Sequence, residues 1–204
     1  MASAKGEQTR TAILEAALQI AARHGLEAIT IGQLAEQRQM SKSGVFAHFG
    51  SREELQIAVL AAHESRFVAA VLRPALSYPR GLARLQAIFE AWVERTVTEA
   101  ALGCIFISGA AEYDDRPGPV RDALVRLVQG WQRELERAIA QALEAGQLAA
   151  QTDIAQWAFE LYGIILALHH EARLLRTPGA ADRARRAFAR LLAQSLAEAP
   201  ASCV

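Results

Sequence analysis

The chain lacks net charge: 22 Lys+Arg offset 22 Asp+Glu over 204 residues. No global basic field therefore marks it as a nucleic-acid binder, and any such role must rest on a local patch. Cysteine is nearly absent, with only Cys104 and Cys203, and neither belongs to a CxxC or to a Cys/His set at metal spacing. They read as a small apolar residue and a tail thiol in a reducing compartment. The amino terminus MASAKGEQTR has no apolar signal core, and no apolar run is expected to be long enough to cross a bilayer, so the expectation is a cytoplasmic protein without a membrane partner. Alternation with period two is missing, as are repeats and low-complexity stretches, which excludes a sheet architecture. No nucleophile–base pair, phosphate loop or metal set is found, so no enzyme activity, cofactor or metal is expected. His169-His170-Glu171 is the nearest thing to a metal set, but adjacent helical residues point apart.

What the chain has is apolar helix. Hydrophobic residues make up 52% and charged residues 22%, ample for a buried core. Residues Met1 to Gln8 read as an arm, and a helix follows from about Thr9 to Arg23, with Ile13, Ala16, Ala17, Ile20 and Ala21 on one stripe and Gly25 past its end. From Arg52 a long rod helix runs through Leu55, Val59, Leu60 and Phe67 until Pro74 breaks it. Pro79 opens the next, with Leu82, Leu85, Phe89 and Trp92 at helical spacing, and DDRPGP is a loop before the long helix that Pro119 starts and Gly146 closes. Thr152 or Asp153 caps AQWAFELYGIILALHH, which is apolar nearly all round and so calls for burial on every side. A final helix spans about Ala181 to Leu196. The fold class is all-α, with about nine helices.

The densest information lies between Thr30 and Leu55. Thr30 with Gln33 and Ser51 with Glu54 form capping boxes, and Ser41 caps a short helix between them. The turn Gln39-Met40 is too short for its two flanking helices to run side by side, which is the sequence form of a helix-turn-helix. From Gln37 through Arg52 there is no acid, whereas Arg38, Lys42, His48 and Arg52 are positive or titratable. A phosphate backbone meets little repulsion there.

The stretch TRTAILEAALQIAARHGLEAITIGQLAEQRQMSKSGVFAHFGSREEL resembles the DNA-binding head of the TetR family of bacterial transcriptional regulators, through Ala16-Ala17, Gly25, Leu34-Ala35, Ser41, Gly44, Phe46, Phe49 and the Ser51–Leu55 ending. The resemblance implies a three-helix head over residues 1–51 and a ligand-binding and dimerisation body over 52–204. It also implies that the helix after Ser41 enters the major groove. Lys42 and Ser43 then reach base edges, Ala47 meets a thymine methyl, and Thr30, Ser41, His48 and Arg52 meet phosphate. The chain departs from the family's pattern at Phe46, commonly tyrosine and here assigned to the core, at Gln39, where the turn usually has glycine, and at Gly32, which weakens its helix.

For the body, Phe67, Trp92, Phe106, Trp131, Trp157 and Tyr162 are the candidates for an apolar effector cavity. Gly163 and Ala167, spaced i,i+4, with Phe188, Leu191 and Leu192, are the candidates for a dimer interface. The implied function is that of a homodimeric repressor that binds a palindromic operator in double-stranded DNA and is released by a small, mostly apolar molecule. Two alternatives stay open at this point: an architectural DNA binder without ligand, and a helical small-molecule carrier with a vestigial head.

Overall fold

The computed structural model describes residues 4–98 and 103–196; Cys203 lies outside them. Among these residues the chain is helical, and its one β feature is an isolated antiparallel bridge between Leu148 and Leu196. The helices are α1 (Ala4–His24), α2 (Ile31–Gln37), α3 (Lys42–Phe49), α4 (Arg52–Phe67), the short turn α5 (Arg73–Ala75), α6 (Leu82–Thr98), α7 (Ile105–Tyr113), α8 (Pro119–Glu144), α9 (Ile154–His169) and α10 (Ala180–Ser195). Apart from the three-residue α5 that makes nine.

Two expectations need correction. Helix α1 begins at Ala4, so the residues read as an arm are mostly its first turn; Thr9 bonds back to the Lys5 carbonyl at 2.9 Å. The rod does end at Pro74, one residue on at Ala75, though not as a regular α-helix. A π turn, Val68–Leu72, follows α4 and leads into α5. Proline in a regular α-helix would drive its ring into the carbonyl four residues back, and the wider turn relieves that clash. The continuous segment Arg52–Ala75 is therefore 24 residues long, with a mean hydropathy of 1.4 in its most apolar window, and so by length and composition it can cross a membrane. This overturns the expectation that no apolar run is that long.

The expected caps are in place. The Thr30 hydroxyl accepts from Gln33 N at 3.2 Å, Ser41 from Gly44 N at 3.1 Å, Ser51 from Glu54 N at 3.0 Å, and the Asp153 carboxylate from Gln156 N at 3.0 Å. Helix α8 closes as its glycine predicts: Gly146 takes φ +67° while Gln147 N bonds to Ala142 O at 3.0 Å.

The chain forms two compact units, each from two separate segments. The first contains residues 1–66 and 101–129 and the second residues 67–100 and 130–204. In the first unit, Ile13, Ala17, Leu26, Ile29, Leu34, Val45, Phe49, Leu55 and Leu60 share one core with Ile105, Phe106, Val120 and Leu124. The helices of the amino-terminal head thus bury their stripes partly against α7 and the start of α8. In the second unit, Leu85, Ile88, Phe89, Leu135, Ile139, Leu161, Ile165 and Phe188 form the centre of another core, where Phe89 stacks on Phe188 with centroids 4.0 Å apart.

Candidate functional site

Helix α3 has an inner face set by Val45 and Phe49, both buried. Ser43 and Ala47 fall on the opposite side of the helix, and Lys42, at its first position, and Phe46, at the edge of the buried face, are exposed as well. Phe46 is 54% exposed, which corrects its assignment to the core: next to a buried Val45 on a helix, it sits about 100° round the axis. The outward face therefore pairs an ammonium, a hydroxyl, a methyl and an aromatic ring, with no carboxylate on its helix. Ser41 and Ser43 lie with hydroxyls 3.0 Å apart at its amino end. Gly32 on α2 has a role here, because a Cβ built on it would meet Lys42 Cε at 3.4 Å; the bare backbone of α2 gives the lysine stem a track. In the turn, Gln39 takes φ +53°, the left-handed region that favours glycine, while Met40 N bonds to Ala35 O at 2.8 Å. Thr30 is exposed and His48 half-buried on the same unit.

Arg52, expected at phosphate, is placed otherwise. Its Nε donates to Ile29 O at 2.7 Å, and Nη2 donates to Glu27 O at 2.5 Å and to the Glu27 carboxylate at 3.1 Å. The guanidinium thus ties the start of α4 to the 3₁₀ turn Leu26–Ala28 that joins α1 to α2. Gln56, buried, reinforces this by donating Nε2 to Leu26 O at 2.8 Å.

The same turn is held from α7, by residues that the sequence did not single out. Glu112 accepts from Leu26 N at 3.2 Å and from Glu27 N at 2.8 Å, capping two turn amides with one carboxylate. Gly25 makes room for it: a Cβ there would fall 2.0 Å from Glu112 Oε1, and its φ of +87° is one that side chains rarely adopt. Tyr113 donates its hydroxyl to the Glu27 carboxylate, and Arg116 Nη1 lies 3.5 Å from it. Glu27 is held below the usual carboxylate range, first by the Tyr113 hydrogen bond and then by Arg52, against a burial effect of opposite sign. The Tyr113 hydroxyl is pushed well above its usual value by burial and by the adjacent Glu27.

Of the six rings expected at an effector site, four come together in the second unit. Phe67, Trp92 and Trp131 meet edge to face in every pairing, at centroid distances of 5.7, 4.7 and 5.1 Å, and Tyr162 stands 5.7 Å from Trp92. The Arg95 guanidinium lies over Phe67, 5.6 Å from its centroid. Trp131 is 8% exposed, and its indole Nε1 has no acceptor among the described residues. The other two rings lie elsewhere. Trp157 packs against Phe188 and donates its indole to Ser195 at 3.0 Å, and Phe106 belongs to the first unit, edge-on to His63 at 4.8 Å.

The last two helices leave an apolar groove. About 630 Å³ in volume, it runs between α9 and α10 and is lined by Glu160, Gly163, Ala167, Arg183, Arg190 and Leu191, among others. Gly163 and Ala167 are exposed there, and Phe159, which the sequence did not single out, is 73% exposed on α9. Of the other residues expected at a dimer interface, Phe188 and Leu191 are buried in their own unit's core and Leu192 packs half-buried against it. His169 is half-buried, and burial, then Arg173, lowers its pKa. Among the described residues no three His, Cys, Asp or Glu side chains gather as a metal site.

Comparison with known proteins agrees with this layout. Residues 13–59 match the family described as bacterial regulatory proteins, tetR family, and residues 81–188 match the tetracyclin repressor-like, C-terminal domain. No curated protein matches the chain by sequence. Among solved structures, a TetR-family transcriptional regulator from Cytophaga hutchinsonii is similar at 18% identity, with 96% of this chain and 98% of that one covered and a TM-score of 0.80. A transcriptional regulator from Saccharomonospora viridis in complex with choline is similar at 18% identity, with 95% and 100% covered and a TM-score of 0.74. AibR in complex with isovaleryl coenzyme A and operator DNA is similar at 22% identity, with 89% and 95% covered and a TM-score of 0.66. A head whose short capped helix shows a carboxylate-free face, followed by a helical body that matches the family's carboxy-terminal domain over more than half of the chain, makes this protein a member of the TetR family of bacterial transcriptional regulators.

Proposed function

We propose that the protein is a ligand-responsive repressor that binds a palindromic operator as a homodimer and leaves it when a small, mostly apolar effector binds the body. The observation that carries this reading is the outward face of α3, where Lys42, Ser43, Phe46 and Ala47 stand together without an acid. Lysine can donate to guanine N7 and O6, serine serves either base class, and the methyl of Ala47 suits thymine. Thr30, Ser41 and His48 lie where a phosphate backbone would run beside that helix, and the helix amino end adds its positive dipole. Arg52 joins them in this reading chiefly by fixing the turn that orients α2. The head, residues 1–51, reads one half-site, and the body, residues 52–204, pairs two copies through the α9 and α10 groove with Gly163, Ala167 and Leu192 and supplies the effector site at Phe67, Trp92, Trp131 and Tyr162. The role is non-catalytic, and the place is the cytoplasm, where the operator is.

Two relatives lend the general scheme support: AibR is described with both an acyl coenzyme A and operator DNA, and the Saccharomonospora protein with choline. The test is footprinting of the purified chain on the DNA upstream of its own gene, followed by titration of Lys42→Ala and Thr30→Ala against operator variants. Lys42→Ala should level the differences among variants, each worth about 1–3 kcal/mol for a good base contact. Thr30→Ala should weaken every sequence alike, as a phosphate contact does. Equal loss of discrimination in both would overturn this division of roles, and a chain that protects no DNA would overturn the function.

A further inference from the structure

We infer that the effector carries a carbonyl-type oxygen and that the Trp131 indole N–H is the group that reads it. This rests on the effector site proposed above and narrows the ligand class. A buried N–H almost always has an acceptor, and a native exception calls for an explanation such as a ligand. Trp157, in the same unit, follows the rule through Ser195, whereas the indole N–H of Trp131 finds no acceptor among the described residues. The rings against Trp131 are Phe67 and Trp92, whose faces are weak acceptors at best. Beside these rings, Tyr162 and Arg95 are half-buried, the first 5.7 Å from Trp92 and the second over Phe67.

The charges choose between two ligand classes. Four clustered aromatic rings would by themselves suit a quaternary ammonium. A buried N–H donor without an acceptor among the described residues and a guanidinium already over Phe67 oppose a cation and favour an oxygen acceptor on an apolar body. Acetophenone and α-methylstyrene make the test, since they share size and shape and differ in C=O against C=CH2; phenyltrimethylammonium is the cationic control.

With the full-length chain, acetophenone should bind at least five-fold more tightly than α-methylstyrene, and phenyltrimethylammonium more weakly than either. Trp131→Phe should abolish the preference for oxygen. In the wild-type protein, the Trp131 indole proton, assigned through its contacts with Phe67, should move downfield toward the Trp157 position with acetophenone and stay put with α-methylstyrene; this readout stands even if the variant fails to fold. Equal affinities, no saturable binding of either probe, tighter binding of the ammonium, or a preference that persists in Trp131→Phe would each overturn the inference. Operator retention separates it from the functional reading. Oxygen-selective binding that leaves operator affinity unchanged at saturation upholds the site and removes release by an effector. Operator binding with no probe binding removes the site and leaves the DNA-binding reading.

Discussion

Replacing Glu112 by alanine isolates how much the head depends on α7. The carboxylate accepts from two backbone amides, at 3.2 and 2.8 Å. Hydrogen bonds to a charged group are worth about 1.5–3 kcal/mol each; both are only partly buried, so water recovers part, and the net loss should be about 2 kcal/mol. In a chain of 204 residues that lowers the melting temperature by roughly 4–8 °C. Gly25→Ala completes a double-mutant cycle. In the native background its Cβ falls 2.0 Å from Glu112 Oε1, so it should cost the cap as well as about 1–3 kcal/mol of backbone strain at that φ. In the Glu112→Ala background only the strain remains. The two losses should therefore be sub-additive by about 2 kcal/mol in urea titrations, beyond the usual additivity error of about 0.5 kcal/mol. Additive losses, or an alanine at 112 within about 0.5 kcal/mol of wild type, would refute the reasoning.

Tyr113→Phe removes the largest cause of the lowered Glu27 pKa and should cost about 1 kcal/mol at neutral pH. A depressed carboxylate contributes above its unfolded pKa and loses that contribution as pH falls through the folded one, so the gap between variant and wild type should narrow in urea titrations carried from pH 7 toward pH 3; a constant gap would contradict the linkage. The raised Tyr113 pKa has the opposite sign, and its contribution fades as pH rises past the ordinary tyrosine range. Gln39→Gly relieves a side chain at φ +53° and should raise stability by up to about 1 kcal/mol, read in the same titration. Phe159→Lys places a charge on an exposed apolar helix face and should shift the proposed dimer toward monomer in sedimentation equilibrium with an unchanged circular dichroism spectrum; a wild-type chain that sediments as a monomer would overturn the proposed pairing.

Local chemistry made much of this fold legible. Capping residues announce themselves within three or four positions, so Thr30, Ser41, Ser51 and Asp153 are found where their side chains bond. The left-handed Gln39 follows from the family resemblance, which puts a glycine at that place in the turn, and Phe67, Trp92 and Trp131 stand out as large rings in apolar helices, although nothing in the sequence says that they meet. Partnerships across distant segments left no such mark. Glu112 is 86 residues from the amide it caps at Leu26, and nothing near either one signals the other: Gly25 reads only as the close of the first helix. Arg52 reads as a phosphate ligand because it closes the acid-free window that starts at Gln37, yet its acceptors at Glu27 and Ile29 lie 25 and 23 positions upstream. Phe46 was misassigned because aromatic character suggests burial, and on a helix of two turns only the register set by Val45 and Phe49 decides which ring faces in.

That the first unit is made of two separate stretches has a consequence for engineering. A recombinant regulator assembled by grafting residues 1–51, or 1–66, onto a foreign sensor would carry the reading helix but strip Leu26 and Ile29 of Ile105, Phe106 and Leu124, which share their core, and would leave Leu26 N and Glu27 N without Glu112. The transplantable cassette is a discontinuous one: residues 1–66 together with 101–129. Crossover points for a chimaera therefore belong at three places in the gene's reading order, after residues 66, 100 and 129, not at one.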